Sequence, residues 1–215
     1  MGLGGQLLSG VLFELEATPR IELGMEVLQT SALPLGYVAS ISDSILRSRR
    51  PEALPCAGVV SQDFRDAMAR LAAGVVVVSA RTADAYRGLT ASTLVSVSAD
   101  PPLVLVGLDR ESATRAAVVE TRRFNVSVLT RNQEFLAERF AGRAPAVDPA
   151  WNAIPHRLGA NGIPLIEGCA AWLECEVEQV HPAGDHDVCI GSVRVALMGS
   201  GNPLILWDRA FWTLR

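Results

Sequence analysis

Val75-Val76-Val77-Val78 constrains the fold of this chain more than any other segment. Four β-branched residues in a row are stiff at χ1 and disfavour a helix, so the run reads as a buried strand. Its neighbours must then supply partners and cover. Ahead of it, Ser61 is a good N-cap, Asp63 falls in a first turn, and Phe64, Met68 and Leu71 recur at helical spacing. These predict a short helix ending at Gly74. After the valines, polar residues with Gly88 suit a hairpin turn, and Thr90 to Ser98 alternates loosely as a second strand. Asp100-Pro101-Pro102 interrupts that strand, because proline cannot donate to a ladder.

Leu103 to Leu108 follows as an almost wholly apolar third strand, and Phe124 to Leu129 as a fourth. Thr114 to Thr121 reads as helical. So does Gln133 to Phe140, with Phe135, Leu136 and Phe140 available to the core. Residues 144 to 156 are loop-like, with prolines at 145, 149 and 155. Ala170 to Val180 and Val188 to Leu197 are long strands joined by a turn at Gly184-Asp185. Leu204 to Trp207 is the last strand, and Phe211 and Trp212 close the chain. Strands dominate, without the regular alternation of a parallel βαβ sheet. The fold class expected is mainly β, an antiparallel barrel with short helices covering its ends. No internal repeat is visible.

Residues 1 to 60 differ in texture. They mix Gly, Leu, Ser and Pro without a sustained period, apart from a short helix expected over Ile41 to Leu46, and Pro51 and Pro55 break the chain before Cys56. We read 1–60 as an N-terminal extension, whether flexible, packed on the main domain or added by an upstream start, and 61–215 as the main domain. The formal net charge of −4 holds no long run of one sign. Arg47-Ser48-Arg49-Arg50 is too short a basic cluster to argue for nucleic acid and reads as a solvated loop. Cys56, Cys169, Cys175 and Cys189 have no Cys-x-x-Cys spacing. Cys169 and Cys175 would share one face of a strand as small buried hydrophobes, which fits a reducing, cytoplasmic compartment. No apolar run reaches the roughly 18 residues of a membrane helix, and the start lacks the basic residues of a secretory signal.

Four segments carry residues suited to chemistry. Gly88-Leu89-Thr90-Ala91-Ser92-Thr93 puts three hydroxyls within four residues, with Gly88 permitting close backbone approach of a flat ring and Ala91 leaving room. The same residues also fit an ordinary polar strand edge. Asp109-Arg110-Glu111-Ser112-Ala113-Thr114 follows an apolar strand, and Ser112 capping the next helix would aim amides and a dipole at an anion. Asp109 and Glu111 would oppose that anion, so a purely structural cap is the competing reading. Arg139 offers a guanidinium for phosphate, although most helix arginines are simply solvated. In His181-Pro182-Ala183-Gly184-Asp185-His186, two histidines and an aspartate lack a further ligand at a recognisable spacing, so no metal site is expected. His186 at that turn suits a hydrogen bond or a stacked ring, or no role. No nucleophile elbow, P-loop or Gly-x-Gly-x-x-Gly motif is present.

These pieces together resemble the flavin reductase family, with its FMN-binding split-barrel fold, from about Ser61 to the C-terminus. The resemblance is carried by Phe64-Arg65-Asp66-Ala67-Met68, Ala73 to Val78, Gly88 to Ser98 and Asp100-Pro101-Pro102-Leu103. It continues through Leu136 to Ala141, Gly162 to Gly168, Gly184-Asp185-His186 and Pro203 to Leu206. Its opening and its Pro-Ala-Gly-Asp-His turn look especially like the reductase partners of two-component oxygenases that tailor aromatic polyketides. The resemblance implies that Gly88, Leu89, Thr90, Ala91, Ser92 and Thr93 hold the flavin. It likewise implies that Asp109, Ser112, Ala113 and Thr114, with Arg139 and Phe140, hold its phosphate end. Gly184, Asp185 and His186 would lie near the nicotinamide, with His186 as the catalytic residue. Two positions depart from the family pattern: Ser127 stands where Asn is usual, and Phe211 near a common Tyr.

The activity so implied is reduction of FMN or FAD by NADH or NADPH, with hydride passing from nicotinamide C4 to flavin N5. Reduced flavin would then leave for a flavin-dependent monooxygenase, and the resemblance also implies a homodimer. Two alternatives share the barrel: a flavin-binding electron-transfer or sensor protein without turnover, and an oxidase of the pyridoxamine-phosphate type. The Gly184-Asp185-His186 turn argues against the first, and the lack of a basic substrate-phosphate cluster against the second.

Overall fold

The computed structural model describes residues 61–142 and 151–214. The extension over 1–60, with its Ile41–Leu46 helix, Arg47–Arg50 cluster and Cys56, lies outside them. Three short α-helices and two 3-10 turns accompany twelve strands among the described residues. Helix α1 spans Ser61–Ala69. Strands β1 (Ala73–Gly74), β2 (Val76–Arg81), β3 (Tyr86–Ala91), β4 (Val95–Ala99) and β5 (Pro102–Asp109) follow. Helix α2 (Ala113–Thr121), β6 (Arg123–Val128) and helix α3 (Glu134–Phe140) come next. The chain continues through β7 (His156–Leu158), β8 (Pro164–Ile166), β9 (Ala171–Ala183) and β10 (His186–Met198), and ends with β11 (Leu204–Trp207) and β12 (Ala210–Thr213).

Seven strands make one antiparallel sheet in the order β3-β2-β6-β9-β10-β5-β4. Its two edge strands, β3 and β4, are consecutive in sequence and separated only by residues 92–94. That link reaches at most about 14 Å. The sheet must therefore curl until its first and last strands meet at one end, as in a barrel left open along one seam. Thr93 fastens the link: its hydroxyl accepts from Gly107 N–H at 3.0 Å and donates to Gly107 O at 3.2 Å. Thr90 to Ser98 is thus not the single strand expected. It breaks at Ser92 because its two halves pair at opposite edges.

The valine run explains the layering. Val76 and Val78 enter one apolar cluster with Val104, Val106, Leu108, Phe124, Val126 and Cys175, closed by Ala117 and Val118 of α2. Val75 and Val77 enter a second with Leu129, Ala137, Phe140, Trp151, Ile166 and Leu204. Alternate side chains point to opposite faces of a strand, so an all-valine segment is what double burial requires. A three-stranded sheet β1-β11-β12 lies beside the second cluster, tied in by Val75 N–H to Leu204 O at 3.0 Å.

Three other expectations change. Helix α1 stops at Ala69 rather than Gly74, and Phe64, Met68 and Leu71 are exposed (58 % for Phe64). The helix is held by polar contacts instead: Asp66 pairs with Arg209, and Asp208 N–H donates to Ala69 O at 2.7 Å. Phe135 is also exposed, while Leu136 and Phe140 pack in the second cluster. Cys169 and Cys175 do not share a face. Cys169 lies ahead of β9, which begins at Ala171, so the strand's alternation does not carry back to it: Cys169 joins the second cluster and Cys175 the first.

Burial pushes all three described thiols up, Cys169 and Cys175 to about 12 and Cys189 to about 11. The thiolate is the reactive form. Native protein treated with iodoacetamide at pH 7.5 should leave these three cysteines unmodified, and unfolded protein should alkylate all of them. Peptide mapping by mass spectrometry reads the result.

Candidate functional site

A cavity of about 700 Å3 runs along β3 and brings together two of the segments singled out from sequence. Gly88 and Leu89 line it from the strand, and Ser112, Ala113 and Thr114 line it from the start of α2. Volumes of this size suit a ligand of drug or nucleotide dimensions.

The start of α2 is built as an anion seat. Ser112 is extended and caps the helix, its Oγ accepting from Arg115 N–H at 3.1 Å. The amides of Ala113 and Thr114, in the first turn, have no acceptor within the helix. Asp109, which would repel an anion if free, is engaged: its Oδ1 accepts from Glu111 N–H at 2.8 Å. These residues therefore fit a phosphate at the helix N-terminus, where the dipole also favours negative charge.

Gly88 has a different reason from the expected turn. The hairpin turns at Thr82 to Ala85, where Thr82 N–H donates to Ala85 O at 2.9 Å, and Gly88 sits mid-strand opposite Ser79. A Cβ there would lie 2.4 Å from Phe140 Cε1 and 3.0 Å from Trp151 Cζ2. The glycine lets the Phe140 ring pack against the strand, with Trp151 5.0 Å beyond it between centroids. Thr90 shares this face. Its hydroxyl is committed to Ala137 O at 2.7 Å, which anchors α3. Ala91 is buried on the other face with Val76. Of the three hydroxyls in the segment, only that of Ser92 makes no hydrogen bond among the described residues.

Arg139 and Phe140 sit in the last turn of α3, and neither lines the cavity. Arg139 is only 7 % exposed, so it is not a solvated helix arginine. Asp109 and Gly184-Asp185-His186 also lie off the cavity, but they lie together. His186 stands opposite Asp109 in the β5–β10 ladder, and Arg110 N–H donates to Asp185 O at 3.1 Å. Gly184 adopts φ 66°, the left-handed conformation this tight turn needs. His186 Nδ1 is 2.8 Å from Asp185 Oδ1. A carboxylate only accepts, so Nδ1 carries the proton and Nε2 is the atom offered outward. This hydrogen bond holds the Asp185 carboxyl below its ordinary value.

Residues 68–215 match the family model described as a flavin reductase like domain. The chain belongs to the flavin reductase family. An NADH-dependent flavin reductase from Rhodococcus is 35 % identical over 154 residues, spanning 70 % of this chain and 85 % of the relative. Among solved structures, the flavin reductase component of a bacterial two-component tryptophan halogenase superposes with TM-score 0.67 at 33 % identity. That match covers 72 % of this chain and 98 % of the other. The NADH:FAD oxidoreductase of Streptomyces globisporus C-1027, solved with NAD and FAD fragments, matches with TM-score 0.67 at 29 % identity over 72 % of this chain and 92 % of its own.

Sequence reading of this flavin reductase domain missed the residue that joins its two candidate segments. Asp187 follows His186, is 1 % exposed, and receives Arg115 Nε at 2.6 Å, with a second contact from Arg115 Nη2. Arg110 Nε lies 3.6 Å from its other oxygen. Arg115 thus ties the helix capped by Ser112 to the strand that carries His186. The available signal was alternation, since a strand with Val188 and Ile190 on one face turns Asp187 and Cys189 to the other. Ser127, at the family's usual Asn, accepts from Ile166 N–H at 3.0 Å and so holds β8.

Two substitutions test this framework. Gly88→Ala forces the Phe140 ring to shift and should cost about 1–3 kcal/mol of stability by urea unfolding. Asp187→Asn removes the charge that two guanidiniums face. It should cost about 3 kcal/mol, the low end for a broken buried pair because Arg115 retains some access to water.

Proposed function

We propose that this chain is an NADH-dependent flavin reductase that delivers reduced FMN or FAD to a partner flavin-dependent monooxygenase. The observation that carries the reading is the meeting in one cavity of the Gly88-Leu89 strand with the Ser112–Thr114 helix start, with the Gly184–His186 turn fixed beside that loop. The Rhodococcus NADH-dependent flavin reductase and the Streptomyces globisporus NADH:FAD oxidoreductase named above support the same assignment. A homodimer, a cytoplasmic location and aromatic polyketide tailoring as the partner's setting belong to this proposal as well, as does the division into a 1–60 extension and a 61–215 domain.

The bound pair supplies hydride transfer from nicotinamide C4 to flavin N5. The protein's share is positioning and exclusion of water, since such a transfer needs the two rings about 3–3.5 Å apart and little acid–base help. In this reading the Ala113 and Thr114 amides hold the flavin phosphate, and Leu89 to Thr93 border the ring and its ribityl chain, with the Ser92 hydroxyl free to contact it. Arg139 and Phe140 are assigned to the flavin on the resemblance. His186 borders the nicotinamide and presents Nε2. The flavin is a substrate that leaves, so moderate affinity suits the cycle.

Purified protein mixed anaerobically with NADH and excess FMN or FAD should bleach the flavin absorbance over many turnovers. No bleaching with either flavin and either NADH or NADPH sinks the proposal. Arg139→Ala should raise flavin KM more than it lowers kcat, the signature of lost uniform binding.

A further inference from the structure

Asp187 is a costly residue for its place. It pairs with Leu108 of β5 and Pro182 of β9 in the ladder, and it shares its face of β10 with the fully buried Cys189. For stability alone an apolar side chain would serve there, since packed hydrophobes can replace a buried ion pair at little or no loss. The carboxylate is also unevenly served. Its Oδ2 takes both contacts from Arg115, while its Oδ1 is buried without a hydrogen bond among the described residues, 3.6 Å from Arg110 Nε. Such an unmatched buried atom calls for a reason other than stability. Arg115 is unfavourably placed as well. It is the third residue of α2, in the turn whose dipole disfavours a cation.

Both costs serve one bridge, and the bridge joins two parts of the site that hold different molecules. At one end is the start of α2, where the Ala113 and Thr114 amides seat the flavin phosphate. At the other is β10, where His186, next to Asp187, borders the nicotinamide. The backbone bond from Arg110 N–H to Asp185 O joins β10 only to the loop ahead of α2. Arg115 carries the tie into the helix itself. We propose that Asp187 is a positioning residue for hydride transfer: through Arg115 it fixes the phosphate seat relative to His186, and so sets how closely nicotinamide C4 approaches flavin N5. This rests on the flavin reductase reading. Asp187 itself touches neither molecule and moves no proton. A misplacement of about 1 Å caused far from the chemistry can slow a reaction about 100-fold, so a loosened bridge is enough to matter.

The test is a single turnover of the full chain by anaerobic stopped flow, with flavin bound beforehand and NADH saturating, beside a fluorescence titration of flavin affinity. Asp187→Asn should slow flavin reduction about tenfold while flavin Kd stays within about twofold of the wild type, the mark of an interaction that matters only in the transition state. Deuterium at the transferred position of NADH should slow the variant by a larger factor than the wild type, as hydride transfer becomes the slow step. Arg115→Lys is the second variant. It keeps the charge at a partly exposed position but loses the forked contact. It should slow reduction in the same way, and the double variant should be no slower than the slower single one, because both break one bridge. If Asp187→Asn does not fold by circular dichroism, Arg115→Lys decides alone. The role is overturned if the folded variants reduce flavin at the wild-type rate, or if their slowing vanishes at saturating flavin, which is lost binding and not lost alignment. A wild type that bleaches no flavin overturns the activity and this role with it, whereas an active wild type beside unaffected variants overturns the role of Asp187 alone.

Discussion

Burial of β2 on both faces is the constraint on which the rest of this structure depends. Val76 and Val78 point into the curled sheet, and Val75 and Val77 point out under α3 and β11. The strand also has a ladder partner on each side, β3 and β6. A segment covered in every direction cannot shift by one residue without turning its valines into the wrong cluster. Its register therefore fixes that of β3, and with it the order in which Gly88, Leu89, Thr90 and Ala91 face outward and inward.

That alternation decides what the strand can do. Gly88 and Thr90 face α3, and both are consumed by it, one by yielding to the Phe140 ring and one by bonding Ala137 O. Leu89 and Ala91 turn toward the interior side. Only past Ala91, where the strand ends, is a hydroxyl free. The candidate site is thus a seam feature, formed where the curled sheet does not close and where α2 starts. The Asp187–Arg115 pair then fastens the two sides of that region through one buried carboxylate.

Much of the framework was legible from residue order. Ser112 capping α2, the Gly184-Asp185 turn, the long strands β9 and β10, and the apolar β5 all follow from local rules of capping, turn chemistry and apolar run length. The failures share a cause. The break at Ser92, the mid-strand place of Gly88, the split of Cys169 from Cys175 and the exposure of Phe64 and Phe135 each depend on which distant element lies opposite. No local pattern encodes that.

The sequence by itself determined that this chain makes a mainly β fold with a doubly apolar strand at its centre. It also carried the ordered series of motifs that places the chain among flavin reductases. Local propensity and spacing suffice for both. Tertiary structure alone decided which motif residues remain available. Thr90 and Thr93 look equivalent to Ser92 in the sequence, yet their hydroxyls are taken by Ala137 and Gly107, because α3 and β5 pack there. Arg81, Tyr86, Arg87 and Trp151 come from separate stretches with no shared pattern, and only the curl of the sheet puts them along one cavity.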